Sequence, residues 1–216
     1  MNAFSRVRTK DVLGALIIGE AVAWLLFVMI RVNAPELPLP ASAITTLEAQ
    51  STGVALAVIL PILSIGGLFV AALLSRIVRI VYQAAKFALV GALNTFVDLG
   101  VLNTFILLTG AATGSSYVLF KGVSFAAALT NSYFWNKHWT FESTGRQVGR
   151  ELLQFAGVSI IGFVLNIATA HVVVNVIGPQ GGLAPTLWSN IGALAAVLVA
   201  LFWNFIGYKF WVFKRA

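Results

Sequence analysis

The chain has 216 residues, 59% of them hydrophobic and 10% charged, with a mean hydropathy of +0.93; these values exclude a water-soluble domain of this size. The formal net charge of +7 does not indicate nucleic acid, because the basic residues fall in clusters between apolar runs. Cysteine is absent, which removes disulfides, thiolate catalysis and cysteine metal sites, and His138 and His171 lie far apart, so neither a metal nor another cofactor is expected.

Six apolar runs, near 12–31, 52–75, 86–108, 117–136, 152–177 and 185–207, are each about the 20 residues that a helix needs to cross a bilayer. The expected fold is an all-α integral membrane protein with six transmembrane helices. The first run is too long for a secretory signal core, and Ala41-Ser42-Ala43 lies too far beyond it to be its cleavage site, so it is read as a retained helix. Glu20 falls mid-span in that run, and no repeat or motif assigns it a role. Pro35-Glu36-Leu37-Pro38-Leu39-Pro40 predicts an extended external loop. Pro61 predicts a kink in the second helix, supported by its neighbours. Arg76-Ile77-Val78-Arg79-Ile80-Val81-Tyr82 alternates basic and apolar residues, which predicts a helix along the interface or an extension of the second helix.

From Phe87 onward the chain repeats itself. Phe87-Ala88-Leu89-Val90-Gly91 is echoed by Phe155-Ala156-Gly157-Val158-Ser159, a shift of 68 residues, and Lys137-His138-Trp139-Thr140-Phe141 by Lys209-Phe210-Trp211-Val212-Phe213, a shift of 72. The longer middle loop, Gly178-Pro179-Gln180-Gly181-Gly182, takes up the difference. The expected organisation is an N-terminal hairpin and linker over 1–83, then a four-helix module over 84–216 with repeats 84–142 and 152–215. A two-helix unit returns to the side it started from, so both copies share one orientation. Twelve of the fourteen basic residues fall at the termini or in alternate connections, a distribution that places both termini in the cytoplasm of a multi-pass inner (plasma) membrane protein. The same basic excess favours anionic membrane lipids as neighbours.

Asp98 sits about twelve residues into its helix, roughly 18 Å deep at 1.5 Å per residue. A carboxylate there costs at least ~2.5–3.5 kcal/mol, which favours a functional role. Gly91, Asn94 and Asp98 form one stripe at i, i+3 and i+7, and Ser159, Gly162 and Asn166 are its counterpart. Such stripes also serve as helix-packing seams. Asp98 thus faces a neutral isostere, Asn166, in the other copy. Lys121 is either a partner for Asp98 or a lysine snorkelling to head groups. Ser132, Asn136 and Trp139 match Asn204, Tyr208 and Trp211 at the shift of 72, with Lys137 matching Lys209. The aromatics alone fit interface anchors, whereas the lysine–amide cluster could also hold a lipid phosphate.

Val90-Gly91-Ala92-Leu93-Asn94-Thr95-Phe96-Val97-Asp98, followed by Asn136-Lys137-His138-Trp139-Thr140-Phe141, resembles the GtrA family of small membrane proteins across about 84–215. Ser132 stands where the family pattern has an asparagine. The resemblance implies a role with polyprenyl-phosphate-linked sugars (undecaprenyl phosphate being one such carrier) in cell-envelope polysaccharide glycosylation. Its leading form is flippase transport of a lipid-linked monosaccharide from the cytoplasmic to the external leaflet. The resemblance points to Asn94, Thr95, Asp98, Asn136, Lys137 and Trp139, and to Asn204 and Trp211 in the second copy. The residue pattern adds Lys121, Ser132, Asn166 and Lys209 as candidate substrate contacts. The expected partners are the lipid-linked sugar, membrane lipids and a glycosyltransferase, with a homo-oligomer left open. Two alternatives stay open: a non-transporting scaffold for that glycosyltransferase, and an exporter of the small multidrug-resistance type. Enzymatic turnover is not expected, because the sequence has no nucleophile–base pair.

Overall fold

A computed structural model describes residues 7–34, 39–110, 114–144, 148–182 and 185–213. The described residues form helices and turns without strands: α1 (Thr9–Asn33), α2 (Ala41–Glu48), α3 (Gln50–Leu74), α4 (Val81–Thr109), α5 (Gly114–Trp135), α6 (Val148–His171) and α7 (Pro185–Gly207). Three π turns extend α5, α6 and α7 over Asn136–Thr140, Val172–Ile177 and Tyr208–Val212. Among the described residues, five segments are long and apolar enough to cross a membrane: Thr9–Arg31, Gln50–Leu74, Val81–Ile106, Gly149–Ile177 and Ala195–Val212. The chain is therefore a multi-pass membrane protein. Large apolar side chains, among them Ile62, Leu153, Phe163 and Phe202, point outward, as they do where lipid is the solvent.

The backbone falls into two compact units, 1–140 and 141–216. In the first, α1 and α3 pair and lie against α4, while α4 and α5 form a hairpin. Ala15, Ile18, Leu68, Val90, Leu93 and Trp139 make the shared core. Small residues allow the close approach: Gly19 of α1 faces Pro61 of α3, and Gly53 of α3 lies on the Phe27 ring. α1 begins with a capping box, in which Asp11 accepts hydrogen bonds from the backbone N–H of Arg8 (3.3 Å) and from its Nε (3.2 Å). α4 ends at Gly110, whose φ of +69° satisfies the last turn at little steric cost.

In the second unit, α6 and α7 form a hairpin whose lower end is aromatic. Phe155 is fully buried and stacks on Tyr208 at 4.2 Å, while Phe141 stacks on Phe213 at 5.3 Å. Gly207 faces Val158, and the Trp203 indole donates to the Val158 carbonyl at 3.1 Å, locking α7 to α6.

One local expectation meets a different outcome. Residues 75–80 are turns and not a helix: the Ser75 hydroxyl donates to the Ala72 carbonyl at 2.7 Å and closes α3, leaving Ile77 85% exposed. Of the loop expected to be extended over 35–40, residues 35–38 lie outside the described residues and Pro40 is extended; the short helix α2 follows it, with the Thr45 and Thr46 hydroxyls bonded to the Ser42 carbonyl. α3 continues through Pro61, which is buried against Gly19 of α1.

Candidate functional site

Two polar side-chain pairs cross the seam between α4 and α5. Asn131 Nδ2 donates to Asn94 Oδ1 at 2.7 Å, and Ser124 Oγ donates to Asp98 Oδ1 at 2.6 Å. Ser124 is fully buried, and Asn94, Asn131 and Asp98 are partly buried. Asn94 and Asp98 are four residues apart and so occupy one helical face; Ser124 and Asn131, seven apart, do the same on the antiparallel partner. The predicted stripe therefore turns towards α5. Beside it, an apolar cavity of about 420 Å³ opens between α1 and α4, lined by Leu25, Val28, Val97, Gly100, Thr104 and Phe105, among others.

The π turn Asn136–Thr140 closes this seam at one end. A π turn adds one residue to the helical circuit and brings neighbouring side chains to the same side. Asn136, Lys137, Trp139 and Thr140 are all buried within it. Asn136 Nδ2 donates to the Ser132 carbonyl (2.9 Å) and to Ser132 Oγ (3.2 Å), while its Oδ1 has no hydrogen-bond partner. Lys137 Nζ donates to the Tyr133 hydroxyl at 3.2 Å and lies over that ring. The Trp139 indole packs against Gly14 of α1, and neither its N–H nor the Thr140 hydroxyl has a partner. Gln83 of α4 donates to the Thr140 carbonyl at 3.2 Å, tying the turn to α4.

A buried ion pair completes the cluster. Lys86 Nζ meets Asp11 Oδ1 at 2.7 Å and stands 4.9 Å above the Trp139 ring. No sequence motif marks Asp11, and its partner lies 75 residues away. The one available signal was an acidic residue in the first turn of a helix, behind a basic segment. Ser124 and Tyr133 were likewise missed, being ordinary polar and aromatic residues whose roles depend on the register of the hairpin.

Of the other predicted site residues, Thr95 is exposed and its hydroxyl bonds back to the Gly91 carbonyl at 3.2 Å. The Lys121 side chain lies outside the described residues. In the second unit, Asn204 packs on Gly162, and its Oδ1 is buried without a partner. Ser159 and the Tyr208 hydroxyl are 2.6 Å apart, so the stripe on α6 turns towards α7. Asn166 is half-buried. Lys209 Nζ lies 5.7 Å from the centroids of Phe205 and Phe210. Trp211 is 62% exposed, whereas Trp139 is 6% exposed, although both occupy the same place in the repeated motif. Trp211 lines a shallow cavity of about 310 Å³ with Gln154, Gly157, Val158 and Ile161.

Apart from Gln83 and the α1 residues Asp11, Gly14, Leu25 and Val28, these residues lie within a match to a known family. A family model for the GtrA/DPMS transmembrane domain covers residues 86–213. The chain is also 34% identical over 134 residues to the uncharacterized membrane protein YngA of Bacillus subtilis (strain 168), an alignment covering 59% of this chain and 77% of that protein. No solved structure matches. The family match takes in both hairpins, α4–α5 and α6–α7, and more than half of the chain, which makes this chain a member of the GtrA/DPMS family.

Proposed function

We propose that the protein carries a polyprenyl-phosphate-linked monosaccharide from the cytoplasmic to the external leaflet. The observation that carries the reading is the cross-helix pair of Asp98 and Ser124, joined at 2.6 Å along the same seam as Asn94 and Asn131. A sugar crossing hydrocarbon must exchange its water for fixed polar partners, and a hairpin with two such rungs supplies donors and acceptors at depth. The phosphate stays near the π-turn end, where the basic and amide residues gather. The apolar cavity beside α4 accommodates part of the prenyl chain.

In this reading the chain spans the membrane six times, in an N-terminal hairpin and two similarly oriented two-helix repeats, with both termini in the cytoplasm. The repeat is supported by the π turns Asn136–Thr140 and Tyr208–Val212, which fall 72 residues apart, as the closing motifs do. Membership of the GtrA/DPMS family supports a polyprenyl-phosphate sugar as the substrate class. The protein works beside a glycosyltransferase and catalyses no bond change itself.

Reconstitution in liposomes without a glycosyltransferase tests this directly. Polyprenyl-phosphate mannose or glucose added to one leaflet should become accessible in the other, and Asp98→Asn should slow that transfer at least ~10-fold, the equivalent of about 1.4 kcal/mol. Full transfer by a folded Asp98→Asn variant would remove Asp98 from the mechanism. Absence of transfer, with specific co-purification of a glycosyltransferase, would establish the scaffold role instead.

A further inference from the structure

The carboxylate that meets Lys86 comes from outside the family match. Lys86 is the first matched residue, whereas Asp11 belongs to α1. Asp11 is 0% and Lys86 2% exposed. The ammonium also lies over two aromatic rings, Trp139 at 4.9 Å and Tyr82 at 5.9 Å. One turn beyond Asp11, Gly14 lets the Trp139 indole sit against the α1 backbone.

Asp11 already accepts three hydrogen bonds, and two buried donors of the adjoining π turn have no acceptor at all. Its Oδ1 takes Lys86, and its Oδ2 takes the backbone N–H and Nε of Arg8. The Trp139 indole N–H and the Thr140 hydroxyl, both buried within the adjoining π turn, are left without acceptors. A buried ammonium, an indole N–H and a hydroxyl are a donor set for an oxyanion. A phosphate offers at least as much negative charge as a carboxylate, with more acceptor oxygens.

We propose that Lys86, Trp139 and Thr140 form the phosphate subsite for the lipid head group, and that Asp11 is its resident counter-ion, exchanged for phosphate when the lipid binds. The inference rests on the proposed function and specifies it: Lys86, and not Lys137 with its ammonium bonded to Tyr133, receives the phosphate. Arg8, about half-exposed and already bonded to Asp11 Oδ2, keeps the displaced carboxylate paired. The N-terminal hairpin thereby sets the affinity of the family module for its ligand.

The test uses the full chain in nanodiscs with undecaprenyl phosphate as probe and equilibrium binding as readout. Asp11→Asn should bind at least ~10-fold tighter than wild type and Lys86→Gln at least ~10-fold weaker, with the double variant as weak as Lys86→Gln. Inorganic phosphate should compete only at much higher concentration; competition at the lipid's own concentration would make free phosphate the occupant and overturn the lipid assignment. Absence of binding by wild type and Asp11→Asn alike would sink the lipid-phosphate function together with this subsite. Wild-type binding that is unchanged or weaker in Asp11→Asn would overturn the exchange alone. Should Asp11→Asn not fold, carbodiimide labelling of wild type decides: saturating lipid has to raise the labelling of Asp11, and unchanged labelling overturns the proposal.

Discussion

Asp98 separates structural from functional demands at a single atom. The Ser124 hydroxyl donates to Asp98 Oδ1, and an asparagine in its place keeps a carbonyl oxygen for the same bond. Asp98→Asn should therefore change unfolding free energy by less than ~1 kcal/mol while leaflet transfer falls, because charge and not packing has been removed. The Asn94–Asn131 rung makes the opposite prediction. Its two amides bond each other across the hairpin, and a double-mutant cycle of Asn94→Ala and Asn131→Ala, read by steric trapping in bicelles, should give a coupling of about 0.5–1.5 kcal/mol. Zero coupling would mean that the rung holds no stability and that the seam is only a pathway. Gly14 is constrained more tightly, since any side chain there enters the Trp139 indole. Gly14→Val should cost about 1–3 kcal/mol through overpacking.

Helices pack here through glycine on one side and a ring or branched side chain on the other. Gly53 against Phe27, Gly162 against Asn204 and Gly207 against Val158 are three instances. A leucine at Gly53 would drive α1 and α3 apart, and thermal unfolding in detergent should reveal a loss of about 1–3 kcal/mol. The bounds of α1, α3 and α7 were legible in the sequence because apolar length alone determines them in lipid, whereas α4 starts five residues ahead of its apolar run. The Gly91–Asn94–Asp98 stripe was legible for a related reason: few polar residues enter such helices, so their spacing stands out. The turn after α3 was not, because it depends on one serine hydroxyl closing the helix, a bond that serine equally forgoes elsewhere. The π turns escaped because Asn136, Lys137 and Trp139 fit an α-helical period as well as a π one. Asp11 escaped for a stronger reason. Its role exists only once α1 lies against α4, and no local pattern encodes a contact between residues 11 and 86.

At the scale of the whole molecule, α5 decides the topology. It has 22 residues, about 33 Å at 1.5 Å per residue, which is enough to cross a bilayer, yet it is not among the five segments apolar enough to qualify by composition. Its polar residues explain the difference without denying the span. Ser124 and Asn131 are spent on Asp98 and Asn94 inside the hairpin, so averaging hydropathy over the helix charges the lipid-facing side for groups turned away from lipid. A crossing α5 puts Thr109 and Gly149 on opposite sides; a helix that returns without crossing leaves them together. The chain has no cysteine, so single cysteines report sidedness without background. Ile77→Cys and Gly149→Cys should react with a membrane-impermeant maleimide only after permeabilisation, and Thr109→Cys and Gln180→Cys should react in intact cells. Labelling of Gly149→Cys from outside, with Ile77→Cys protected, would reduce the chain to five spans. It would also put the α6–α7 hairpin in the opposite orientation to α4–α5, and a single basic-side route for the lipid phosphate would then fail.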